Sequence, residues 1–355
     1  MYHILKMKRI FKTHLMKDSH IIHNWMLMTI SLTSLFMLFS CQRTKFQWEP
    51  GISAPRNYPV AGYVDFGNAG HGSNTSFQNG WGNTYGAVSS GDIYKEAPKE
   101  VYINYYSVVD GKNFEGKVLL PQERIRRLFE KYNLDKKEKS SGNLVVGMAP
   151  GGWIRVWFHT IDEKANDLVN IEVAKARLKG YKDNSVGIGL KTKNFETWGN
   201  TYLYWQHHGI PYEAWANNEK EYDMYFDLFT PNHDEVEYSY VSEDGTFEQG
   251  IGINKKFHQK LPVEFELGWR DKARETFYCS KFIMPKKFKH FIEQKKINTI
   301  IFKLEIEDND QNATLYLVFN NTKEKILRYK NKIPTAEEKK NNDYSYATQV
   351  EYFIK

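Results

Sequence analysis

PKEVYINYYSVVDGKNFEGKVLLP (residues 98–121) and PVEFELGWRDKARETFYCSKFIMP (residues 262–285) run the same length from proline to proline. In the first, Val101, Ile103 and Tyr105 alternate with polar residues; in the second, Phe265, Leu267 and Trp269 stand at the matching positions. Alternation of this kind gives a strand with one apolar face. Lys117-Val-Leu-Leu-Pro121 and Lys281-Phe-Ile-Met-Pro285 then read as second strands, each closed by a proline that cannot donate to a ladder.

Outward from these segments the two patterns stay in step. After Pro121, Ile125, Leu128 and Phe129 fall at i, i+3 and i+4, and after Pro285, Phe288, Phe291 and Ile292 do the same, so one short amphipathic helix is predicted in each half. A hairpin follows each helix: LVVGM and WIRVWF around Ala149-Pro-Gly-Gly152, then IIFKLEI and TLYLVF around an Asp/Asn-rich turn. Ile154, Val156 and Phe158 match Leu315, Leu317 and Phe319. Trp-Gly-Asn-Thr-Tyr occurs at 81–85 and again at 198–202, upstream of each unit. The fold class is therefore mostly β (α+β), with antiparallel sheets in two duplicated halves. The stretch from Trp198 to Pro262 far exceeds that from Trp81 to Pro98, which predicts an insertion at about 203–260. The expected layout is a signal peptide (1–40), a tether (41–57), a first half (58–190), a second half with the insertion (191–335) and a C-terminal segment (336–355).

The chain has 355 residues and a formal net charge of +6, but Lys6, Lys8, Arg9, Lys12 and Lys17 all precede Cys41. The remainder is close to neutral, with no basic stripe for a run of phosphates, so nucleic acid is not an expected partner. Trp25 to Phe39 carries no charge and is shorter than the ~20 residues a bilayer span needs, which suits a signal sequence. Leu38, Ser40 and Cys41 make a lipobox, in which the Cys41 thiol accepts a diacylglyceryl group. Gln42, where an aspartate would signal inner-membrane retention, points to the outer membrane and its periplasmic face. Initiation at Met7 or Met16 instead of Met1 would leave this address intact. With Cys41 lipidated, Cys279 has no intrachain partner.

The layout resembles the domain-of-unknown-function 2931 family of uncharacterised bacterial lipoproteins. The residues that carry the resemblance are Cys41, Trp48 with Tyr58-Pro59-Val60, Gly80-Trp81-Gly82, the strand ending Tyr105-Tyr106-Ser107, and Phe114-x-Gly-x-Val-Leu-Leu-Pro121. The resemblance implies a lipid-anchored protein and brings no active site with it.

The densest polar and aromatic cluster is Tyr204-Trp-Gln-His-His-Gly-Ile-Pro-Tyr-Glu-Ala-Trp215. Trp205, His207, His208, Tyr212, Glu213 and Trp215 are its candidate binding residues, aromatic rings being good anchors for a partner. In WIRVWF, Trp153, Arg155 and Trp157 share the face opposite Ile154, Val156 and Phe158, a second candidate surface. Glu221, Asp223, Tyr225 and Asp227 alternate with Tyr222, Met224 and Phe226 as on a half-exposed strand. Asp308, Asp310 and Asn312 open like a calcium loop, but Ala313 and Phe319 stand where its glycine and glutamate belong. His207-His208 has no partner at zinc-motif spacing, and no Gly-x-Ser-x-Gly, His-Glu-x-x-His or Walker loop occurs. No metal or cofactor is expected. The expected function is a non-catalytic envelope protein that binds a protein partner or a glycan, an immunity-type protein being one version. The alternative is an envelope glycan or lipid hydrolase using His207 or His208 with a carboxylate such as Glu213.

Overall fold

The alternation at 101–105 and 265–269 is realised with one face inward in both places: Val101, Ile103, Tyr105, Phe265, Leu267 and Trp269 are all buried. The computed structural model describes residues 45–84, 87–89, 91–135, 141–162, 164–217, 219–252 and 256–355. The first copy comprises β1 (Phe46–Ser53), β2 (Val60–Asp65), β3 (His71–Phe77), β4 (Ala87–Ser89), β5 (Tyr94–Lys95), β6 (Glu100–Ser107), β7 (Lys112–Leu119), α1 (Gln122–Lys131), β8 (Gly142–Met148), β9 (Trp153–Asp162), β10 (Asp167–Arg177) and β11 (Gly180–Tyr181). Four short helices follow: α2 (Ile188–Lys191), α3 (Phe195–Trp198), α4 (Asn200–His208) and α5 (Tyr212–Ala216). The second copy comprises β12 (Glu221–Asp227), β13 (Glu237–Ser242), β14 (Phe247–Ile251), β15 (Phe257–Lys260), β16 (Pro262–Arg270), β17 (Phe277–Ile283), α6 (Phe288–Gln294), β18 (Thr299–Ile306), β19 (Asn312–Phe319) and β20 (Thr322–Lys330). The chain ends with α7 (Ala336–Asn341) and β21 (Val350–Tyr352).

Each copy stacks two sheets in the same order. In one sheet the leading strand lies parallel to the strand after the helix, β1 beside β8 and β12 beside β18, and two antiparallel strands continue outward. In the other, β3-β2-β6-β7 matches β14-β13-β16-β17, antiparallel throughout. Even the register agrees: Ile103 faces Gly116 and Glu100 faces Leu119, as Leu267 faces Ser280 and Glu264 faces Ile283. Helix α1 buries Ile125 and Phe129, and α6 buries Phe288 and Ile292. Each copy thus has its own core, one around Trp48, Phe129 and Phe158 and the other around Phe226, Phe265 and Phe302. A fully buried side chain of this size contributes about 1.5–3 kcal/mol.

Several expected boundaries need correction. From Glu221 to Lys260 the chain is β12–β15, the counterpart of β1–β5, so the supposed insertion at 203–260 is largely the second copy itself; the added segment is 182–220. The identical pentapeptide misplaced it. Trp81 lies in the loop after β3, whereas Trp198 ends α3 ahead of the whole second copy. The tether expected at 41–57 is a sheet strand from Phe46 onward, with Phe46, Trp48 and Ile52 fully buried. Pro50 disguises it, yet is tolerated because past Gln47 β1 pairs only with β8. The segment 336–355 is no appendage: β21 pairs with β20, and Lys281 N–H donates to Ser345 O at 3.0 Å. In the hairpins, Met148 faces Ile154 and Ile306 faces Ala313, so Ile154, Val156 and Phe158 correspond to Ala313, Leu315 and Leu317, two residues earlier than alternation suggests. A slip of two keeps every side chain on its face, which is why the pattern could not see it. The expected signal peptide and the expected lipidation site Cys41 lie outside the described residues. Among the described residues no helix is long and apolar enough to cross a membrane.

Candidate functional site

Residues 182–220 carry the aromatic cluster, and they spend it on joining the two sandwiches. Tyr58, Trp81, Trp157, Tyr204, Trp205 and Trp215 form a third buried cluster, distinct from both cores, with Val241 of the second copy. Trp215 is fully buried and its indole N–H donates to Asp244 O at 2.8 Å. Trp205 donates to Asn57 O. The turn between β13 and β14 enters the same seam, where Gly245 O accepts the N–H groups of Arg56 at 2.8 Å and Trp81 at 2.9 Å. Gly245 has φ +77° and a Cβ there would lie 2.5 Å from Pro55 Cβ, so only glycine fits.

This placement overturns the reading of Trp205 and Trp215 as exposed anchors. The other candidates scatter. His207 is exposed, with its ring 5.3 Å from that of Tyr346. His208 Nε2 lies 3.0 Å from Glu264 Oε1, which also accepts from Tyr346 Oη at 2.6 Å. Glu213 accepts from Asn217 one turn along, at 3.1 Å, and Tyr212 Oη donates to Asp110 at 2.6 Å. His207, His208 and Glu213 line neither the cleft of about 690 Å³ nor that of about 1100 Å³, and the carboxylate within hydrogen-bond reach of His208 is that of Glu264. Cys279 is a buried thiol whose pKa is pushed up by burial, an inert group. Trp153 is half-buried under the cations of Lys175 and Arg177.

Arg155 and Trp157 fare differently, because β9 forms the wall of a cleft of about 1100 Å³ between the two sandwiches. Their alternation is as expected, with Ile154, Val156 and Phe158 in the core and the other face turned toward the second copy. Antiparallel pairing builds the wall in rows. Asn143 of β8, His159 of β9 and Asn170 of β10 are direct cross-strand neighbours, and so are Val145, Trp157 and Glu172. A bulge in β10 between Glu172 and Ala174 brings Glu172 Oε2 to 2.5 Å from Arg155 Nη1, while Arg155 Nη2 donates to Trp215 O at 3.0 Å. Across the cleft stand Asp244, Thr246, Glu248 and β15, with Asn83 and Asn217 at the edges.

The charges of this cleft are largely answered within it. Lys260 Nζ lies 2.5 Å from the buried Asp244 carboxylate, and Arg155 is paired with Glu172. Glu248 is held above the usual carboxylate pKa by burial, against a hydrogen bond from Gln259. Burial, with Asp244 adding to it and Lys289 opposing, pushes Glu219 up to about 7, and its Oε2 has no hydrogen-bond partner among the described residues. Burial likewise lowers the pKa of His159, against Asn170, so the imidazole is neutral. Beside the paired ions, the cavity is thus lined by amides, a neutral imidazole and the Glu219 carboxyl, framed by Trp81 and Trp157 packed edge to face at 5.0 Å. Such groups match the paired donors and acceptors of neutral hydroxyls. Among the described residues no three metal-capable side chains are gathered together.

Fold and cleft define a double β-sandwich with a ligand-sized cavity between its lobes. Residues 39–213, just under half of the chain, match the family described as "Protein of unknown function (DUF2931)", so this stretch is similar to that family. The match covers the first sandwich and the seam helices as far as Glu213, ending before β12. No curated protein and no solved structure matches the chain.

Proposed function

We propose that the protein is an outer-membrane lipoprotein, anchored through Cys41 on the periplasmic face, that binds an envelope glycan in the cleft between its sandwiches and does not transform it. The observation that carries this reading is the cross-strand row Asn143, His159 and Asn170, set in a cavity whose ions are already paired. A charged ligand would have to break those pairs, at a cost of several kcal/mol when one partner is left buried alone. A neutral oligosaccharide needs only the amides, the imidazole and the unpartnered Glu219 oxygen. The cavity exceeds the usual small-molecule range of about 300–1,000 Å³, which favours several sugar rings over one. The lipobox supports the address.

The test is calorimetric titration of residues 42–355 with neutral oligosaccharides of N-acetylglucosamine. Asn143→Ala with Asn170→Ala should weaken binding by about tenfold or more, two hydrogen bonds being worth about 0.5–1.5 kcal/mol each. No binding by the folded protein, or equal binding by the double variant, would overturn the proposal. Selective capture of a protein on the seam-flanking surface, with the oligosaccharides inert, would favour the interaction-partner reading instead.

A further inference from the structure

A second cleft, of about 690 Å³, lies on the outer face of β14-β13-β16-β17. In the first copy the equivalent face is open: Tyr102 and Lys117 occupy the places of Glu266 and Lys281, and Lys117 bonds Glu100 at the exposed surface. In the second copy that face is roofed by three remote segments. The loop after β1 brings Arg56, helix α4 brings Asn200, and the stretch after α7 brings Asp343 and Tyr346. Tyr346 and His208 both bind Glu264 and so fasten the roof to β16. Asp343 accepts from Lys281 Nζ at 2.5 Å and from Asn200 Nδ2 at 3.0 Å.

Within this enclosure Arg56 is anomalous. Its backbone is pinned to Gly245 O and its guanidinium lies 4.5 Å over the Phe247 ring, so its position is fixed. Yet among the described residues its guanidinium makes no hydrogen bond and has no carboxylate within 4.0 Å. Burial depresses its pKa, and Asp343 and Glu266 offset that only at a distance. Glu266, on the floor, is pushed up to about 7 by burial, against Lys281 at 3.9 Å. A partly buried cation without a partner and a carboxyl held half-ionised face one cavity.

We propose that this roofed cleft is a second binding site, separate from the inter-sandwich cavity, for a small zwitterion of amino-acid type, its carboxylate received by Arg56 and its ammonium by Glu266. The fixed charges select for both ends at once. A simple anion would meet Glu264, Glu266 and Asp343, and a simple cation would meet Arg56 and Lys281. A zwitterion places each end beside its complement, and the fork of the guanidinium suits a carboxylate held in two hydrogen bonds. The volume lies within the range of small-molecule sites.

The probes are free alanine and alanyl-alanine, with N-acetylalanine and alanine amide as singly charged controls, followed by NMR titration of residues 42–355. The zwitterions should bind, and each control should bind about tenfold or more weakly, the loss of one charge-assisted contact. Arg56→Ala and Glu266→Gln should each weaken alanine binding to a similar degree while leaving titration with N-acetylglucosamine oligosaccharides unchanged. Affinity should rise between about pH 6 and pH 8 as Glu266 ionises, with Lys281 beside it on the sheet, Glu264 on its own strand, and Arg56 and Asp343 facing it from the roof. Arg56→Ala touches the seam and could unfold, in which case Glu266→Gln and the controls decide. Equal binding of N-acetylalanine and alanine, unaltered binding in a folded variant, or no amino-acid binding to the wild type would each overturn the assignment.

Discussion

Trp215→Ala separates an anchor from a keystone. The side chain is fully buried between the sandwiches, its ring 5.1 Å from Tyr58 in an edge-on contact and its N–H bonded to Asp244 O at 2.8 Å. Truncation removes a large aromatic volume, which costs about 3–5 kcal/mol in a packed interior. It also leaves the Asp244 carbonyl without its donor, a further penalty of about 1–3 kcal/mol. Against a whole stability of about 5–15 kcal/mol, that sum threatens folding. Trp215→Phe keeps most of the packing and loses the hydrogen bond, so its cost should be the smaller part. Urea denaturation followed by far-ultraviolet circular dichroism measures both without relying on the fluorescence of the ring removed. A Trp215→Ala protein within about 1 kcal/mol of wild type, a change expected of exposed positions, would refute the seam as described.

Gly245→Ala should also destabilise the junction, by about 1–3 kcal/mol, because a Cβ at positive φ would strike Pro55; thermal denaturation reads it, and an unchanged midpoint would show that the turn can shift. Glu219 binds its proton more tightly in the folded than in the unfolded chain, so its contribution is favourable below about pH 4.5 and is lost as pH rises through about 7. Glu219→Gln should flatten that decline in stability between these values; denaturation midpoints that remain parallel to wild type across the window would contradict it. Fatty-acid labelling in cells should vanish in Cys41→Ala, and label retained in that variant would remove the lipid anchor.

The parts of the fold legible from sequence are those fixed by alternation. The β6–β7 and β16–β17 hairpins, the helices beginning after Pro121 and Pro285, and the β8–β9 and β18–β19 hairpins all rest on apolar residues that recur with the period of their element. Strand β12 likewise buries Tyr222, Met224 and Phe226 and turns its acidic residues outward. The opening strand β1 escaped because Pro50 and Gly51 contradict local propensity, and its burial is imposed by β8 alongside. The cleft was half visible. Arg155 and Trp157 stood on the correct face of β9, but Asn143, Asn170 and Glu172 become their neighbours only through strand register, and Glu219, Asp244 and Lys260 only through the docking of one sandwich on the other. The register signal was recoverable: pairing LVVGM and the strand after WIRVWF through their turns places Asn143 and Asn170 beside His159. Nothing local distinguishes an aromatic residue that joins two lobes from one that awaits a partner, so Trp205 and Trp215 read equally well both ways until the second copy is in place.

Crystals of residues 42–355 grown with a neutral N-acetylglucosamine tetrasaccharide would locate the ligand directly. Sugar density in the cavity between the sandwiches, with hydroxyl or acetamido groups at hydrogen-bond distance from Asn143 and Asn170, is the predicted result. Sugar bound elsewhere on the molecule, with that cavity holding only water, would contradict the account.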